Sequence, residues 1–164
     1  MNLRPAREED LPRIVEIYNS TIPTRRSTAD LGPVTVEARL SWFRSHRRER
    51  PILVYEIGGS VAAWLSFEDF YGRPAYARTA EISLYVAAES RKQGLGSRLL
   101  RDALRMAAGL GIRSVVGYVF AHNDPSLRLL ASAGFEEWGR LPQVAEMDGR
   151  EYDLLIMGKR LEGE

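Results

Sequence analysis

Residues 91–96, which read RKQGLG, have the composition of a loop that binds phosphate groups through its backbone. Gly94 and Gly96 carry no side chain, so the backbone can approach a ligand closely and point its N–H groups outward. A helix is predicted to follow, and the start of a helix carries a partial positive charge that favours anions. Arg91 and Lys92 add two full positive charges. We therefore predict a diphosphate cradle, the name used below for residues 91–96.

Other glycine-rich phosphate loops fit this segment poorly. A P-loop requires Gly-Lys followed by Ser or Thr, whereas Gly96 is followed by Ser97 and Arg98. A dinucleotide-binding loop requires a third glycine, and Leu99 stands at that position. Because six residues are a short pattern, a strand–helix turn with two incidental glycines remains an alternative explanation of the segment taken alone.

Hydrophobic periodicity places the cradle between a strand and a helix. Apolar residues recur at helical spacing in four segments, which predicts helices over residues 8–19, 35–48, 95–109 and 124–133. Short apolar or alternating runs predict strands over residues 2–4, 52–57, 61–67, 81–86, 114–120, 135–141 and 152–159. Residues 20–34 are rich in proline, glycine and hydroxyl side chains and are predicted to form a loop. The order of elements indicates a mixed α/β fold with one central sheet.

The composition is that of a globular protein and argues against several kinds of site. The 164 residues suit one domain over residues 1–164, and the net charge of +1 favours neither nucleic acid nor an anionic membrane. The absence of cysteine excludes disulfides, thiolate metal sites and a cysteine nucleophile. Only two histidines are present, so no metal site is expected. No signal peptide and no run of about 20 apolar residues is visible, which predicts a cytoplasmic protein.

Downstream of the cradle come an Asn, a short predicted helix and a Gly-Phe pair. With this arrangement the chain resembles the GNAT superfamily of N-acetyltransferases, which pairs Arg/Gln-x-x-Gly-x-Gly/Ala with a downstream Asn and Gly-Phe. It is more closely similar to the phosphinothricin and methionine sulfone (sulfoximine) acetyltransferase branch. The segments that carry the closer match span nearly the whole chain: residues 17–19 (IYN), 79–81 (TAE), 85–86 (YV), 94–96 (GLG), 123–126 (NDPS) and 141–144 (LPQV).

The resemblance implies the GNAT fold, in which helices flank a central mixed sheet whose middle strands splay apart. The pantetheine arm of acetyl-CoA would enter the gap and pair with backbone groups of Leu84, Tyr85 and Val86. The diphosphate would be held by the cradle residues Arg91, Lys92, Gln93, Gly94, Leu95 and Gly96. Asn123 would bind the pantetheine arm, and Ser126 would lie near it. Asn123 also suits a helix N-cap, and the two roles are compatible.

Glu81 is the expected catalytic residue. On the strand predicted over residues 81–86, Ile82, Leu84 and Val86 form an apolar face, and Glu81 lies on the other face. An amine is mostly ammonium at neutral pH and must lose a proton before it attacks a thioester, so a nearby carboxylate can act as general base. The similar branch uses a Glu at this position. The alternative is a solvated or ion-paired carboxylate on the strand surface.

Leu130 departs from the pattern of the family. Many members carry a Tyr at this position as the acid for the departing thiolate, and the phosphinothricin branch often carries a His. Leu130 can donate no proton, but a thiol pKa of roughly 8.5 makes the thiolate a fairly good leaving group that solvent can protonate. Tyr85, Tyr118 and Ser126 are alternative donors.

The acceptor implied by the resemblance is a small amino-acid analogue with carboxylate and phosphinyl or sulfonyl oxygens. Arg78 and Arg73 are candidates to pair with such oxygens, and Tyr76 is a candidate wall of the pocket. The alternative is that all three are surface residues of a loop. Arg25 and Arg26, in the loop predicted over residues 20–34, are further candidates.

The sequence thus predicts an N-acetyltransferase that moves an acetyl group from acetyl-CoA to the primary amine of a small amino-acid-like acceptor, by direct attack in a ternary complex. Two alternatives remain: an acetyltransferase that acts on proteins or peptides, and a non-catalytic module that binds acetyl-CoA. No nucleic-acid or membrane partner is expected. Residues 139–160 resemble segments that build dimer contacts in the branch, which predicts a homodimer.

Overall fold

The computed structural model describes residues 1–162 of the 164-residue chain. Within these residues there are seven strands, β1 (Asn2–Pro5), β2 (Ile52–Ile57), β3 (Ser60–Asp69), β4 (Thr79–Val86), β5 (Ser114–Phe120), β6 (Glu136–Met147) and β7 (Arg150–Arg160). The α-helices are α1 (Leu11–Asn19), α2 (Val36–Ser45), α3 (Leu95–Ala107) and α4 (Asp124–Ser132). No helix in this part of the chain is both long and apolar enough to cross a membrane. The order of strands and helices is the predicted one.

All seven strands belong to one sheet, in the order β1-β2-β3-β4-β5-β7-β6. Every neighbouring pair is antiparallel except β4 and β5, which are parallel. Helix α3 lies in the connection between these two strands, because parallel neighbours cannot be joined by a hairpin and need a crossover. The mixed sheet with flanking helices confirms the predicted α/β class.

The sheet has a separate apolar core on each face. Successive residues of β2 contribute to the two cores in turn. Leu53 packs in the core beneath α3, and Val54 packs in the core beneath α1. The same alternation in β4 puts Ile82 in the first core and Tyr85 against the second. Because successive strand residues point to opposite faces, Glu81 shares the α1 face with Tyr85. The predicted separation of Glu81 from the apolar face of its strand is confirmed.

The second helix is shorter than predicted. Helix α2 ends at Ser45 and not at residue 48, because His46 is extended, with φ −72° and ψ 147°. The backbone then forms an isolated bridge between Arg47 and Arg50. The basic composition of residues 47–50 gave no signal for this change of direction.

The last two strands form a hairpin that is longer than predicted. Strand β6 continues to Met147 and does not end at residue 141, and it crosses Pro142 through an irregularity in its pairing with β7. The chain then turns at Asp148 and Gly149, whose φ angles are +54° and +76°. An Asp-Gly pair favours this tight turn because both residues tolerate the left-handed conformation. This hairpin signal explains why both strands extend beyond their predicted ends.

Candidate active site

A cleft opens where strands β4 and β5 separate. The two strands are joined by only three residue pairs, of which the last joins Glu81 to Val116. Beyond that pair β4 continues to Val86 and β5 continues to Phe120. The edge of β4 that faces β5 therefore has no strand partner over residues 82–86, and backbone groups along it are left for another partner. This is the splay of the central strands that the sequence predicts.

Two adjoining cavities occupy the cleft. The Glu81 cavity, of about 340 Å³, has Glu81 and Ser83 on one wall and Tyr118 on the other. The cradle cavity, of about 670 Å³, extends from the end of β4 to residues of the cradle. The residues that line both include Leu84, Tyr85, Asn123 and Ser126. A single ligand can therefore reach from the cradle to Glu81 along one continuous groove.

Backbone conformation shapes the cradle. Lys92 and Gly94 have φ angles of +61° and +73°, and α3 begins directly afterwards at Leu95. The left-handed conformation costs a glycine little but strains other residues, which accounts for Gly94. A Cβ atom on Gly96 would lie 3.5–3.6 Å from the side chains of Val86, Leu129 and Leu84. Gly96 thus keeps the start of α3 open to the groove.

The charged residues of the cradle differ in what they face. Arg91 and Lys92 both line the cradle cavity. The Nε atom of Arg91 also donates to the backbone oxygen of Val86 at 3.1 Å, which ties the cradle to the end of β4. Gln93 is not among the lining residues, because its side-chain amide donates to the backbone oxygen of Glu89 at 3.2 Å. The geometry therefore supports ligand contact by the side chains of Arg91 and Lys92 more than by that of Gln93.

Glu81 lies at the point where the two strands separate, and its surroundings make it a stronger base. It stands opposite Glu68 in the register of β3 and β4. Burial, and then the negative charge of Glu68, raise the pKa of Glu81 from 4.5 to about 6. No positive charge or hydrogen bond from the described residues counteracts this. Glu81 is thus neither fully solvated nor ion-paired, and a carboxylate of this pKa is ionised at neutral pH and can accept a proton.

Tyr85 stands between the two cavities and is held on three sides. Its ring stacks on Trp64, with centroids 4.7 Å apart, and meets Tyr18 edge-on at 5.2 Å. Its hydroxyl donates to the backbone oxygen of Ser27 at 3.3 Å. Burial raises the pKa of Tyr85, so the hydroxyl keeps its proton at neutral pH. Tyr85 is therefore engaged with the loop that contains Ser27.

Asn123 is the N-cap of α4, as predicted. Its side-chain oxygen accepts from the backbone N–H of Ser126 at 3.3 Å, which satisfies one of the free donors at the start of the helix. Its side-chain nitrogen donates to the backbone oxygen of Arg26 at 3.0 Å. The neighbouring His122 places Nε2 2.7 Å from the backbone oxygen of Arg25. Both side chains therefore hold the same loop.

This loop, residues 20–35 between α1 and α2, forms part of the cleft and is called the α1–α2 loop below. Arg26 and Ser27 line both cavities, and Thr28 lines the Glu81 cavity. Arg25 turns away and pairs with Asp148 in the β6–β7 turn at 2.9 Å. Sequence alone singles out only the two arginines here, because the rest of the loop contributes backbone and small side chains that carry no distinctive signal.

The structure does not bring Arg73, Tyr76 and Arg78 to the cleft. All three are exposed in the connection between β3 and β4, and none lines either cavity. The backbone oxygen of Arg78 accepts from the N–H groups of Arg113 and Ser114, which fixes the start of β4 against β5. The geometry therefore matches the surface alternative for these residues.

The candidate proton donors Tyr85, Tyr118 and Ser126 all line the Glu81 cavity. Leu130 is buried and lines the Glu81 cavity with an aliphatic side chain. Tyr118 lines the same cavity, and burial, then the negative charge of Glu81, raise its pKa. Tyr85 is bonded to the α1–α2 loop, and Ser126 lies at the start of α4.

Comparison with known proteins places this cleft in a family. The sequence pattern of the "Acetyltransferase (GNAT) family" matches residues 11–135. YwnH of Bacillus subtilis, provisionally named a phosphinothricin acetyltransferase, is 54% identical over 98% of this chain and 99% of its own length. An L-methionine sulfoximine/L-methionine sulfone acetyltransferase of Pseudomonas aeruginosa is 32% identical over 98% of this chain and 95% of its own length.

A solved structure shows the same likeness in three dimensions. It is that of YncA from Salmonella typhimurium with its cofactor acetyl-CoA, and it superposes with a TM-score of 0.92 at 31% identity. The match covers 100% of this chain and 95% of that protein. With the family pattern over residues 11–135, the splayed β4–β5 cleft and two relatives above 30% identity, the chain belongs to the GNAT family and is an acetyl-CoA-dependent N-acetyltransferase.

Proposed function

We propose that the chain acetylates the primary amine of a small amino-acid-like acceptor, of the phosphinothricin, methionine sulfone or methionine sulfoximine type. The acetyl group passes from acetyl-CoA by direct attack in a ternary complex, with Glu81 as general base. The observation that carries this proposal is the position of Glu81. It is a carboxylate with a pKa of about 6 at one end of a groove whose other end is the cradle.

The groove fits the proposed donor. Arg91, Lys92 and the start of α3 would hold the diphosphate, since they combine full charges with the partial charge of a helix N-terminus. The unpaired edge of β4 at residues 84–86 would hydrogen-bond the pantetheine arm. Ser126 lies along this path, and Asn123 can join it by exchanging its bond to the Arg26 carbonyl. When bound, acetyl-CoA supplies a thioester carbonyl as electrophile and a thiolate as leaving group.

Side chains of the protein are proposed to accept and donate the protons of the reaction. One proton passes from the acceptor ammonium to the Glu81 carboxylate, directly or through water, and frees the amine lone pair for attack. A C–N bond forms as the C–S bond breaks, the nitrogen releases its second proton to solvent, and the departing thiolate takes up one proton from a donor that solvent then reprotonates. Tyr118 is proposed as the donor to the thiolate because it lines the Glu81 cavity and feels the charge of Glu81, whereas the hydroxyl of Tyr85 is bonded to the backbone oxygen of Ser27. Tyr118→Phe then lowers kcat, whereas an unchanged kcat would assign that proton to solvent.

The nature of the acceptor is supported by the relatives and by the cavity. The names of the two relatives specify small amino-acid analogues. The Glu81 cavity of about 340 Å³ suits a compact molecule. Arg73, Tyr76 and Arg78 remain candidate acceptor residues only if their segment folds inward on binding. An unchanged KM in Arg78→Gln would remove Arg78 from the site.

The experiment is to follow CoA release from acetyl-CoA with a thiol reagent across a panel of amines. The chain has no cysteine, so the protein adds no thiol signal. Turnover of phosphinothricin, methionine sulfone or methionine sulfoximine is expected, and Glu81→Gln should lower kcat/KM by about 10²- to 10⁴-fold. Glu136→Gln, which changes an exposed carboxylate on β6, is the matched control. Turnover of peptides alone would instead indicate a protein acetyltransferase, and binding of acetyl-CoA with no turnover would indicate a binding module.

We further propose a homodimer, formed through the β6–β7 hairpin. Three large apolar side chains of the single strand β6 are exposed, Trp138 by 47%, Leu141 by 39% and Val144 by 57%, and a partner hairpin would cover them. Light scattering at micromolar concentration should give twice the chain mass of 18.5 kDa, and Val144→Glu should lower it. A mass of one chain for the unchanged protein would refute the dimer.

A cytoplasmic location is proposed because the enzyme must act where acetyl-CoA is available. Cell fractionation tests this, and recovery of the protein outside the cytoplasmic fraction would contradict it. We also propose that residues 1–164 act as one catalytic domain. Limited proteolysis should then yield no stable fragment that spans only one side of the cleft.

A further inference from the structure

A third cavity lies beside the Glu81 cavity, on the α1/α2 side of the sheet. Its volume is about 210 Å³, and Ser83 and Tyr85 of β4 line both cavities. A water molecule needs roughly 10–15 Å³ of such volume, so there is room for a small polar group and its chain. Its other lining residues are Tyr18, Arg39, Trp42, Trp64, Ser66 and Glu68. It is called the Arg39 cavity below.

Arg39 is held in place by aromatic rings and not by a carboxylate. Its guanidinium carbon lies 4.0 Å from the ring centroid of Trp42 and 5.4 Å from that of Tyr18. Contact with aromatic faces positions a guanidinium while its N–H groups, which lie in the plane of the guanidinium, remain available to a ligand. Among the described residues, no side-chain hydrogen bond or ion pair is formed by this half-buried arginine. By contrast, Arg44 on the same helix pairs with Glu8 at 2.8 Å.

The one carboxylate in the cavity has other partners. Glu68 accepts from the indole N–H of Trp42 at 2.9 Å and from the hydroxyl of Ser66 at 3.4 Å. These bonds fix Trp42, and through it the plane on which Arg39 rests. Because Glu68 is engaged by Trp42 and Ser66, the guanidinium of Arg39 is the charged group of the cavity that is left for a ligand.

The spacing along β4 connects this cavity to the chemistry. Glu81 and Ser83 are two residues apart on one strand, so their Cα atoms are separated by roughly 7 Å. A molecule whose amine reaches Glu81 and whose anionic group lies a few bonds away would place that group near Ser83, at the entrance to the Arg39 cavity. We propose that the Arg39 cavity is the subsite for an anionic group of the acceptor, a carboxylate or a phosphinate. This inference rests on the proposed function, because it assigns an acceptor subsite to the same active site.

The test compares Arg39→Gln with the unchanged enzyme on acceptors with and without the anionic group. The acceptors are methionine sulfone, its methyl ester, which lacks the carboxylate, and phosphinothricin. Loss of a charge-assisted bidentate interaction should raise KM by about 10- to 100-fold for an acceptor whose anion Arg39 binds. The KM for the methyl ester should change little. A higher KM for both methionine sulfone and phosphinothricin identifies the carboxylate as the group that Arg39 binds. A higher KM for phosphinothricin alone identifies the phosphinate.

Two further variants separate binding from structure. Arg39→Lys keeps the charge but loses the planar fork, so its KM should lie between those of the unchanged enzyme and Arg39→Gln. Arg48→Gln, an exposed arginine just beyond α2, should leave every KM unchanged. Equal losses of kcat/KM for the acids and the ester in Arg39→Gln, or no loss for any, would overturn the subsite.

Calorimetric titration of methionine sulfone and phosphinothricin distinguishes failure of this inference from failure of the proposed function. Binding that Arg39→Gln weakens, with no turnover of any amine, would support the subsite and refute the proposed reaction. Turnover that is the same in Arg39→Gln and the unchanged enzyme would support the reaction and refute the subsite.

Discussion

Replacing Glu81 by glutamine should lower kcat/KM and should also change how the free energy of unfolding depends on pH. The pKa of Glu81 is about 6 in the folded protein, against an ordinary value of 4.5 that the unfolded chain should keep. The folded state therefore binds more protons between pH 4.5 and pH 6, and the free energy of unfolding of the unchanged protein falls as pH rises through that range. The difference between these two pKa values corresponds to at most about 2 kcal/mol, because solvent screens a carboxylate that is only partly buried.

The assay is urea unfolding of Glu81→Gln followed by tryptophan fluorescence at pH 4 and at pH 8, with Glu136→Gln as control. The glutamine side chain does not titrate, so the stability of the variant relative to the unchanged protein should rise by about 1–2 kcal/mol from pH 4 to pH 8. Any fixed cost of burying the glutamine amide is the same at both pH values and cancels. If the difference in stability between the variant and the unchanged protein stays constant from pH 4 to pH 8, folding does not raise the pKa of Glu81. The argument that Glu81 is a stronger base in the folded protein would then fail.

Three further predictions concern residues around the cleft. Glu68→Gln removes the negative charge near Glu81 and should lower the pKa of Glu81. The acid limb of the pH profile of kcat/KM, expected near pH 6, should then move to lower pH. If the limb does not move, burial alone raises the pKa of Glu81. Gly94→Ala should lower the free energy of unfolding by about 1–2 kcal/mol because φ is +73° there. Gly96→Ala should leave stability equal or up to about 1 kcal/mol higher, yet weaken acetyl-CoA binding by calorimetry; equal losses of stability in both variants would contradict the geometry. Asn123→Ala should cost about 1–2 kcal/mol, whereas Asn123→Ser should recover the cap and lose only the bond to the Arg26 carbonyl, as measured by urea unfolding.

The sheet and the catalytic strand could be predicted because their signals are local. The alternation from Glu81 to Val86 fixes which side chains share a face, and that depends only on the two-residue period of a strand. The glycines of the cradle report backbone angles that few other residues adopt. The N-cap role of Asn123 follows from its type and its position before a helix.

The acceptor side of the cleft could not be predicted because it is assembled from distant segments. Arg39, Glu68 and Ser83 meet only after α2 packs against the sheet, and no spacing in the sequence joins them. Arg78 precedes Glu81 by three residues, which made it a plausible neighbour in the sequence. Arg78 in fact lies just before β4, in the exposed connection from β3, and does not share the face of the strand that carries Glu81.

Side chains of the scaffold bind the α1–α2 loop through its backbone oxygens. Tyr85, Asn123 and His122 bind the backbone oxygens of Ser27, Arg26 and Arg25, and none of these bonds involves a side chain of the loop. Every amino acid supplies a carbonyl oxygen, so substitutions at Arg26 and Ser27 should leave these bonds in place, whereas Arg25 has a φ of +55° and pairs with Asp148. The loop can therefore accumulate changes that reshape the acceptor pocket while the scaffold and the chemistry stay constant. Such a division lets one enzyme diverge into several with different substrates, and it marks Arg26 and Ser27, which line both cavities, as the place to begin directed evolution of specificity.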